Sequence, residues 1–401
     1  MKRLKYMMKT AMILTLVCSM GCVEEFDANL NVETIDGLVI EGNIVSDSIV
    51  VFKLSKTLPL TQTEENADLF ENYWVTDAEL AVKGDDGSIW KGAYLYRKGD
   101  YAVPIGNLNP NVKYHLEILY NGDTYQSEPQ IPLPCSGIEG MSFSQPDLAG
   151  PVTIRLDSKE TDLSETKYYM WYFEEDWELH AHFVTTDLYD PELDAIVSYD
   201  YPPVAQGWCY NGTDEILLGS TEATLENRII GKIIQKIEHT DDRLSVLYSI
   251  RVQQRNLTRQ EYEYYQERNK LSSGMGGLFT PQPSELPTNV VCSNPVRKVI
   301  GYVGCNMGVA YHQLYIDGEE VFYEDVYECL HMKEPSGAYK IKYAAGFQIA
   351  SLERNGGMLE IEWARFPCVD IRSCKANPTG RPSWWPNPYL YYKEEPEYGG
   401  F

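Results

Sequence analysis

The stretch Tyr114-His115-Leu116-Glu117-Ile118-Leu119-Tyr120-Asn121-Gly122-Asp123-Thr124-Tyr125 decides the fold class. Apolar residues alternate with polar ones, and an Asn-Gly pair interrupts them. Both turn residues of a tight hairpin need positive φ, which Asn and Gly adopt at least cost, so this is the strongest short-range hairpin signal. The same grammar extends outward. Asp85-Asp86-Gly87 separates two strands, and Leu38-Val39-Ile40 and Ile49-Val50-Val51-Phe52 flank a turn around Ser46-Asp47. Strands at this spacing over residues 36–134 predict an immunoglobulin- or fibronectin-like β-sandwich. Pro129, Pro132 and Pro134 close it, because proline has no N–H to give to a ladder. A domain boundary is expected there.

Residues 135–401 are expected to form a larger β-rich domain with one inserted helix. Residues 167–173 and 178–184 read as a hairpin, and 228–237 and 244–253 as another, turned at Thr240-Asp241-Asp242. The helix is expected near 258–273. Thr258-Arg259-Gln260-Glu261 is a capping box, in which the hydroxyl accepts from an early amide and the carboxylate reaches back to the cap. Leu257 and Tyr262 can staple its start, and Gly274, Gly276 and Gly277 stop it. Further strands are expected at 299–303, 313–316, 339–343 and 359–363. The tail 377–401 is rich in proline and aromatics and is expected to be extended.

The amino terminus reads as a lipoprotein export signal over residues 1–21. Lys2, Arg3, Lys5 and Lys9 precede a short apolar run from Ala11 to Val17, and Ser19-Met20-Gly21 places a small residue before Cys22. A thiol at that position is the acceptor for a lipid chain, and residues 22–35 then form a polar tether. The cysteine could instead follow a plain signal peptide and join a disulfide. Two or three acyl chains would anchor the protein stably, at about 0.8 kcal/mol per buried methylene. After Cys22, no apolar run approaches the ~20 residues that a spanning helix needs.

Removing residues 1–21 leaves 30 Lys+Arg against 59 Asp+Glu, a formal charge of −29. That argues against nucleic acid as a partner, since like charges repel. Seven cysteines follow Cys22, and in an exported chain they are disulfide candidates with at least one left over.

Few residues suggest chemistry, and no catalytic residue, metal or cofactor is expected. Glu178, His180 and His182 alternate and would share one face of a strand, a weak metal signal better read as a solvated or interface face. His239 beside Asp241 and Asp242 reads as turn chemistry. Ser88-Ile89-Trp90-Lys91 spells S-x-x-K, but that motif needs a helix and here lies in a strand-like stretch. Tyr168-Tyr169-Met170-Trp171-Tyr172-Phe173 alternates across a strand, so half of it belongs to a core. Trp384, Trp385 and Tyr389 are candidate contacts for a ligand or partner protein, or else wrap over their own domain. Asp47-Ser48-Ile49 fits a short pattern for O-glycosylation at Ser48.

Taken in order, a set of segments resembles a Bacteroidota surface-lipoprotein family, domain of unknown function four-two-four-nine. They are Leu38-Val39-Ile40-Glu41-Gly42, Leu225-Glu226-Asn227-Arg228, Asp242-Arg243-Leu244-Ser245-Val246 and Tyr262-Glu263-Tyr264. Leu278-Phe279-Thr280-Pro281, Val299-Ile300-Gly301-Tyr302-Val303 and Cys368-Val369-Asp370 follow, then Arg381-Pro382 before Trp384-Trp385. The resemblance implies a signal peptide, lipid anchoring and a β-rich body; the acidic residues just behind Cys22, Glu24, Glu25 and Asp27, resemble an export signal to the outer, cell-surface face of the outer membrane, or else are ordinary linker residues. Members typically stand beside TonB-dependent transporters, which implies such a transporter as partner and an accessory role in ligand capture or admission. The alternatives are a stand-alone glycan- or peptide-binding surface protein, and an adhesin or envelope-assembly component. The family tends to carry a tighter terminal cysteine pair than Cys368 and Cys374. With that departure, Cys292 is expected to bridge to Cys368 or Cys374.

Overall fold

The computed structural model describes residues 37–57, 73–162, 166–200, 205–212, 216–274, 286–326, 329, 331–335, 338–355, 358–369 and 381–386. The chain is mainly β. The opening hairpin forms as its sequence dictates: Tyr114–Tyr120 pairs antiparallel with Asp123–Ser127. Asn121 and Gly122 take φ of 50° and 80°.

This hairpin lies within a sandwich of two five-stranded sheets. One runs, in spatial order, Lys298–Ile300, Gly37–Glu41, Ser48–Lys56, Asp100–Ile105 and Ala93–Tyr94. The other runs Val290–Cys292, Asp123–Ser127, Tyr114–Tyr120, Glu79–Gly84 and Ile89–Lys91. Inward residues of both, among them Ile40, Phe52, Val82, Val103, Leu116 and Ile118, form one core.

Each sheet therefore takes an edge strand from residues 290–300, far beyond the expected boundary at 134. Gly304–Asn306 also pairs in parallel with Asn43–Val45. Two of these three ladders are parallel, and parallel partners need long connections, so nothing local in the sequence announces them. Gly301 makes the return possible. Its φ is +135°, and a Cβ there would stand 2.1 Å from the Ile40 carbonyl oxygen.

A second sandwich follows. Its smaller sheet is Ile138–Ser144, Val152–Ser158 and Lys232–Ile237. Its larger sheet is Gln206–Gly212, Tyr168–His180, Leu247–Leu257 and Ala310–Asp317, with Leu217–Ser220 also on the central strand. Ile154, Leu156 and Ile237 meet Trp171, Phe173, Tyr248, Ile250 and Val252 in its core.

Two expected hairpins are corrected here. Residues 167–173 and 178–184 are not paired with each other, because Tyr168–His180 is a single 13-residue strand. The intervening Glu174-Glu175-Asp176-Trp177 contains no Gly, Pro or Asn, and its charges are accommodated on two faces. Strands Lys232–Ile237 and Leu247–Leu257 belong to opposite layers. The short 3-10 turn Asp242–Leu244 carries the chain across and buries Leu244 between the sheets.

The helix spans Arg259–Gly274. Thr258 Oγ1 accepts from the Glu261 amide at 3.1 Å, and Leu257 and Tyr262 pack in one cluster with Tyr264, Tyr265 and Tyr302. A third sheet, His331–Pro335, Met358–Arg365 and Phe347–Asn355, packs against the hairpin Asp187–Asp190 and Ala195–Ser198. Residues 339–343, expected as a strand, lie in the helix Tyr339–Ala344. One helical turn brings Tyr339 and Tyr343 to the same side, against Tyr189, Ile349 and Trp363.

The cysteine expectation is also corrected. Cys368 is bonded to Cys329, Cys209 is disulfide-bonded, and Cys292 is a free thiol. Cys292 stands opposite Tyr125 at the edge of the first sandwich. Cys368 is buried with Leu188, Ala350 and Val369, and Cys329 packs against that cluster. Different cores therefore hold the two expected partners. Cys374 lies outside the described residues.

Candidate functional site

The central strand Tyr168–His180 has two unlike faces. Odd-numbered residues from Tyr169 to Trp177 point into the second core. Glu175 is among them, fully buried, and every donor around it is in place. Its Oε1 accepts from Tyr248 Oη at 2.6 Å, Arg243 Nη1 at 2.7 Å and Gln235 Nε2 at 3.2 Å. Its Oε2 accepts from Asn211 Nδ2 at 3.1 Å. Arg243 also grips Asp241 with Nε at 3.0 Å and Nη2 at 2.8 Å. Burial, followed by the Glu175 charge, pushes the Tyr248 phenol well above its ordinary value. This is a completed ion pair that ties the two layers together.

A second buried network joins the first sandwich, the second and the helix. Arg255 Nη1 donates to Glu261 Oε1 at 2.5 Å and Nη2 to Tyr265 Oη at 3.1 Å. Burial disfavours the Arg255 charge, but Glu261 and Tyr265 outweigh it and hold the guanidinium above its ordinary value. Nearby, Asn43 donates to Asn306 at 2.8 Å, and Asn306 to the Asn256 carbonyl at 2.8 Å. Asn227 is likewise enclosed, donating to Thr161 Oγ1 at 2.8 Å and to the Asp162 carbonyl at 2.9 Å. Several residues in the segments quoted above, Asn227, Arg243, Tyr264 and Tyr302, thus do structural work. They fix loops and layers.

The even-numbered residues face outward and differ in kind. Glu174, Asp176 and Glu178 form a line of carboxylates two residues apart. Across the ladder, Tyr210 stands opposite Asp176, Ser249 opposite it on the other side, and Tyr315 opposite Ser249. Glu174 is paired with Arg251. Glu178 accepts from His180 Nε2 at 2.8 Å, from Gln206 Nε2, and from Trp385 Nε1 at 3.0 Å. Burial alone would raise Glu178, but these three donors hold its carboxyl below the usual range.

Asp176, between them, is 9 % exposed and has no hydrogen-bond partner among the described residues. Burial, with the Glu174 charge behind it, pushes its carboxyl up to about 6. Tyr210 and Tyr311 remain exposed on the same face; burial raises both phenols, with Glu174 adding to it at Tyr210 and Arg251 opposing it at Tyr311.

The residues singled out in the sequence are scattered. Of the two readings of the tail aromatics, Trp385 follows the second and wraps over its own body: it is buried, edge-on to Tyr315 with ring centroids 6.4 Å apart, and donates to Glu178. Trp384 beside it is 40 % exposed. Tyr389 and Cys22 lie outside the described residues. Ser48 opens a strand at the edge of a turn and donates to the Ser46 carbonyl at 3.2 Å. Glu178 and His180 pair with each other, while His182 faces Asp325 at 3.3 Å. No metal-holding group occurs among the described residues. His239 faces Glu324 at 3.3 Å beside a turn capped by Asp241. Ser88 donates to Asp86 at 2.6 Å in a turn, and Lys91 ends the following strand.

The sequence reading missed Glu174, Asp176, Arg251, Tyr210 and Tyr311. The signal was present, as acids at every second position of a strand whose other face is aromatic.

No curated protein matches the chain. Among solved structures, the adhesin InvE of Yersinia pseudotuberculosis aligns over 81 % of this chain and 73 % of that one, at 10 % identity and a TM-score of 0.18. Likeness at that level carries no argument. No helix among the described residues is long and apolar enough to cross a membrane. A family model, by contrast, matches residues 23–307, more than two thirds of the sequence. The chain therefore belongs to the family described as "Domain of unknown function (DUF4249)".

Proposed function

We propose that this protein is an outer-membrane lipoprotein, anchored through Cys22 and exposed on the cell surface. It acts as a non-enzymatic accessory subunit of a TonB-dependent transporter and helps capture or admit a ligand. The observation that carries the binding role is the outward face of the larger sheet. A row of tyrosines and carboxylates is held there on a paired ladder, and one carboxylate, Asp176, has no donor among the described residues. Rigid aromatic rings with polar tips supply contact area at low entropic cost. The ion pair Glu175–Arg243 is enclosed and satisfied by structural partners on both carboxylate oxygens, which favours a structural role for it over catalysis. The transporter partnership rests on the resemblance to the family.

Co-purification in mild detergent tests it. A transporter barrel retained with the full-length lipoprotein is the expected result. Ligand binding by the isolated protein with no barrel retained would favour the stand-alone glycan- or peptide-binding reading, which the same aromatic face also suits. Mass spectrometry of the mature amino terminus is expected to show an acylated Cys22.

A further inference from the structure

We propose that the sheet face at Asp176 is a subsite for a primary ammonium group, such as the side chain of a lysine in a bound peptide. The inference deepens the ligand-binding role proposed above and rests on it. Asp176 and Ser249 sit side by side on the two central strands, both short and buried. Tyr210 stands on the strand to one side, its hydroxyl towards Gly212, and Tyr315 beyond Ser249 on the other, three strand spacings apart, or roughly 14 Å. Glu174 and Arg251 lie at one end, and Glu178 with Trp385 at the other.

The charge balance selects the ligand. Glu174 is offset by Arg251, and Glu178 is satisfied by His180, Gln206 and Trp385. Asp176 alone lacks a donor among the described residues, although it is nine-tenths buried. A buried carboxylate gains most from a partner that brings both charge and N–H donors. An ammonium brings three. A chain of formal charge −25 draws cations towards it in any case.

Calorimetric titration of the purified full-length protein with a tetralysine peptide tests the site, with tetraglycine and maltotetraose as neutral probes. Saturable binding of tetralysine is expected, weakened at least tenfold in Asp176→Asn and unchanged in Glu79→Gln, which removes an exposed acid from the first sandwich. Equal binding by wild type and Asp176→Asn overturns the proposal. So does tighter binding of maltotetraose than of tetralysine. A thermal midpoint of Asp176→Asn no lower than wild type excludes misfolding as the cause of lost binding. Should the variant misfold, Tyr210→Ala, on the neighbouring strand, is expected to weaken tetralysine binding several-fold, and undiminished affinity there overturns the proposal. Barrel retention is measured on the same wild-type preparation. Absent tetralysine binding with the barrel retained defeats this subsite alone. Tetralysine binding with no barrel retained defeats the transporter partnership alone.

Discussion

Glu175 and Asp176 are neighbours in sequence, and the pleat of one strand sends them to opposite sides of the same sheet. On the inner side Glu175 meets an arginine, a tyrosine and two amides, and it is enclosed as part of the core. On the outer side Asp176 is nearly as buried, yet no donor among the described residues comes to it. Two carboxylates under similar burial thus have opposite energetic standing. The inner one holds two layers together. The outer one carries its charge against burial and the Glu174 carboxylate, with no donor among the described residues.

The comparison can be broken most forcefully from inside. Glu175→Ala leaves Arg243 and Tyr248 buried without their shared acceptor and is expected to cost about 3–5 kcal/mol, read from urea denaturation. The same cut outside should act in reverse. Asp176 has its folded-state pKa raised to about 6 from an ordinary value near 3.8, so the folded protein keeps that proton longer than the unfolded chain does. Stability should therefore fall as pH rises from about 4 to 6, with the full penalty present above that. Asp176→Asn is expected to stabilise the protein at pH 7.5 by about 2–3 kcal/mol and to leave it unchanged below pH 4. A variant no more stable than wild type at pH 7.5 would dissolve the contrast.

The remaining predictions sharpen it. Trp385→Ala removes a buried ring and one of the three donors to Glu178, and is expected to cost about 2 kcal/mol while moving the Glu178 carboxyl upward. Carboxyl-resolved NMR would follow both. Arg251→Ala breaks a half-exposed pair and is expected to change stability by only about 0–1 kcal/mol. It should nevertheless raise Asp176 further, because Arg251 is the cation that now opposes the shift.

Local grammar in the sequence was enough to read the hairpin at Asn121-Gly122, the capped helix after Thr258 and the β-rich class. Each depends on residues within a few positions of one another. What stayed hidden depends on distant pairings. The return of residues 290–306 to the first sandwich runs largely through parallel ladders with no turn to mark them. The Cys329–Cys368 bridge sits in a cluster assembled from distant segments around Leu188, Ala350 and Val369, and the helix at Tyr339, expected as a strand, packs in a separate cluster with Tyr189 and Trp363. The candidate site was half legible. Alternating acids at 174, 176 and 178 could be seen, but an expected hairpin break between 173 and 178 concealed their shared face. That Asp176 would go unsatisfied while Glu175 was fully paired depends on Arg243, Gln235 and Asn211, which come from three other segments.

The most direct measurement is an NMR titration of the Asp176 side-chain carboxyl in the full-length protein, with and without tetralysine. The account predicts a pKa of about 6 in the free protein, falling towards ordinary aspartate values when the peptide is bound. An ordinary value in the free protein, unmoved by the peptide, would contradict it.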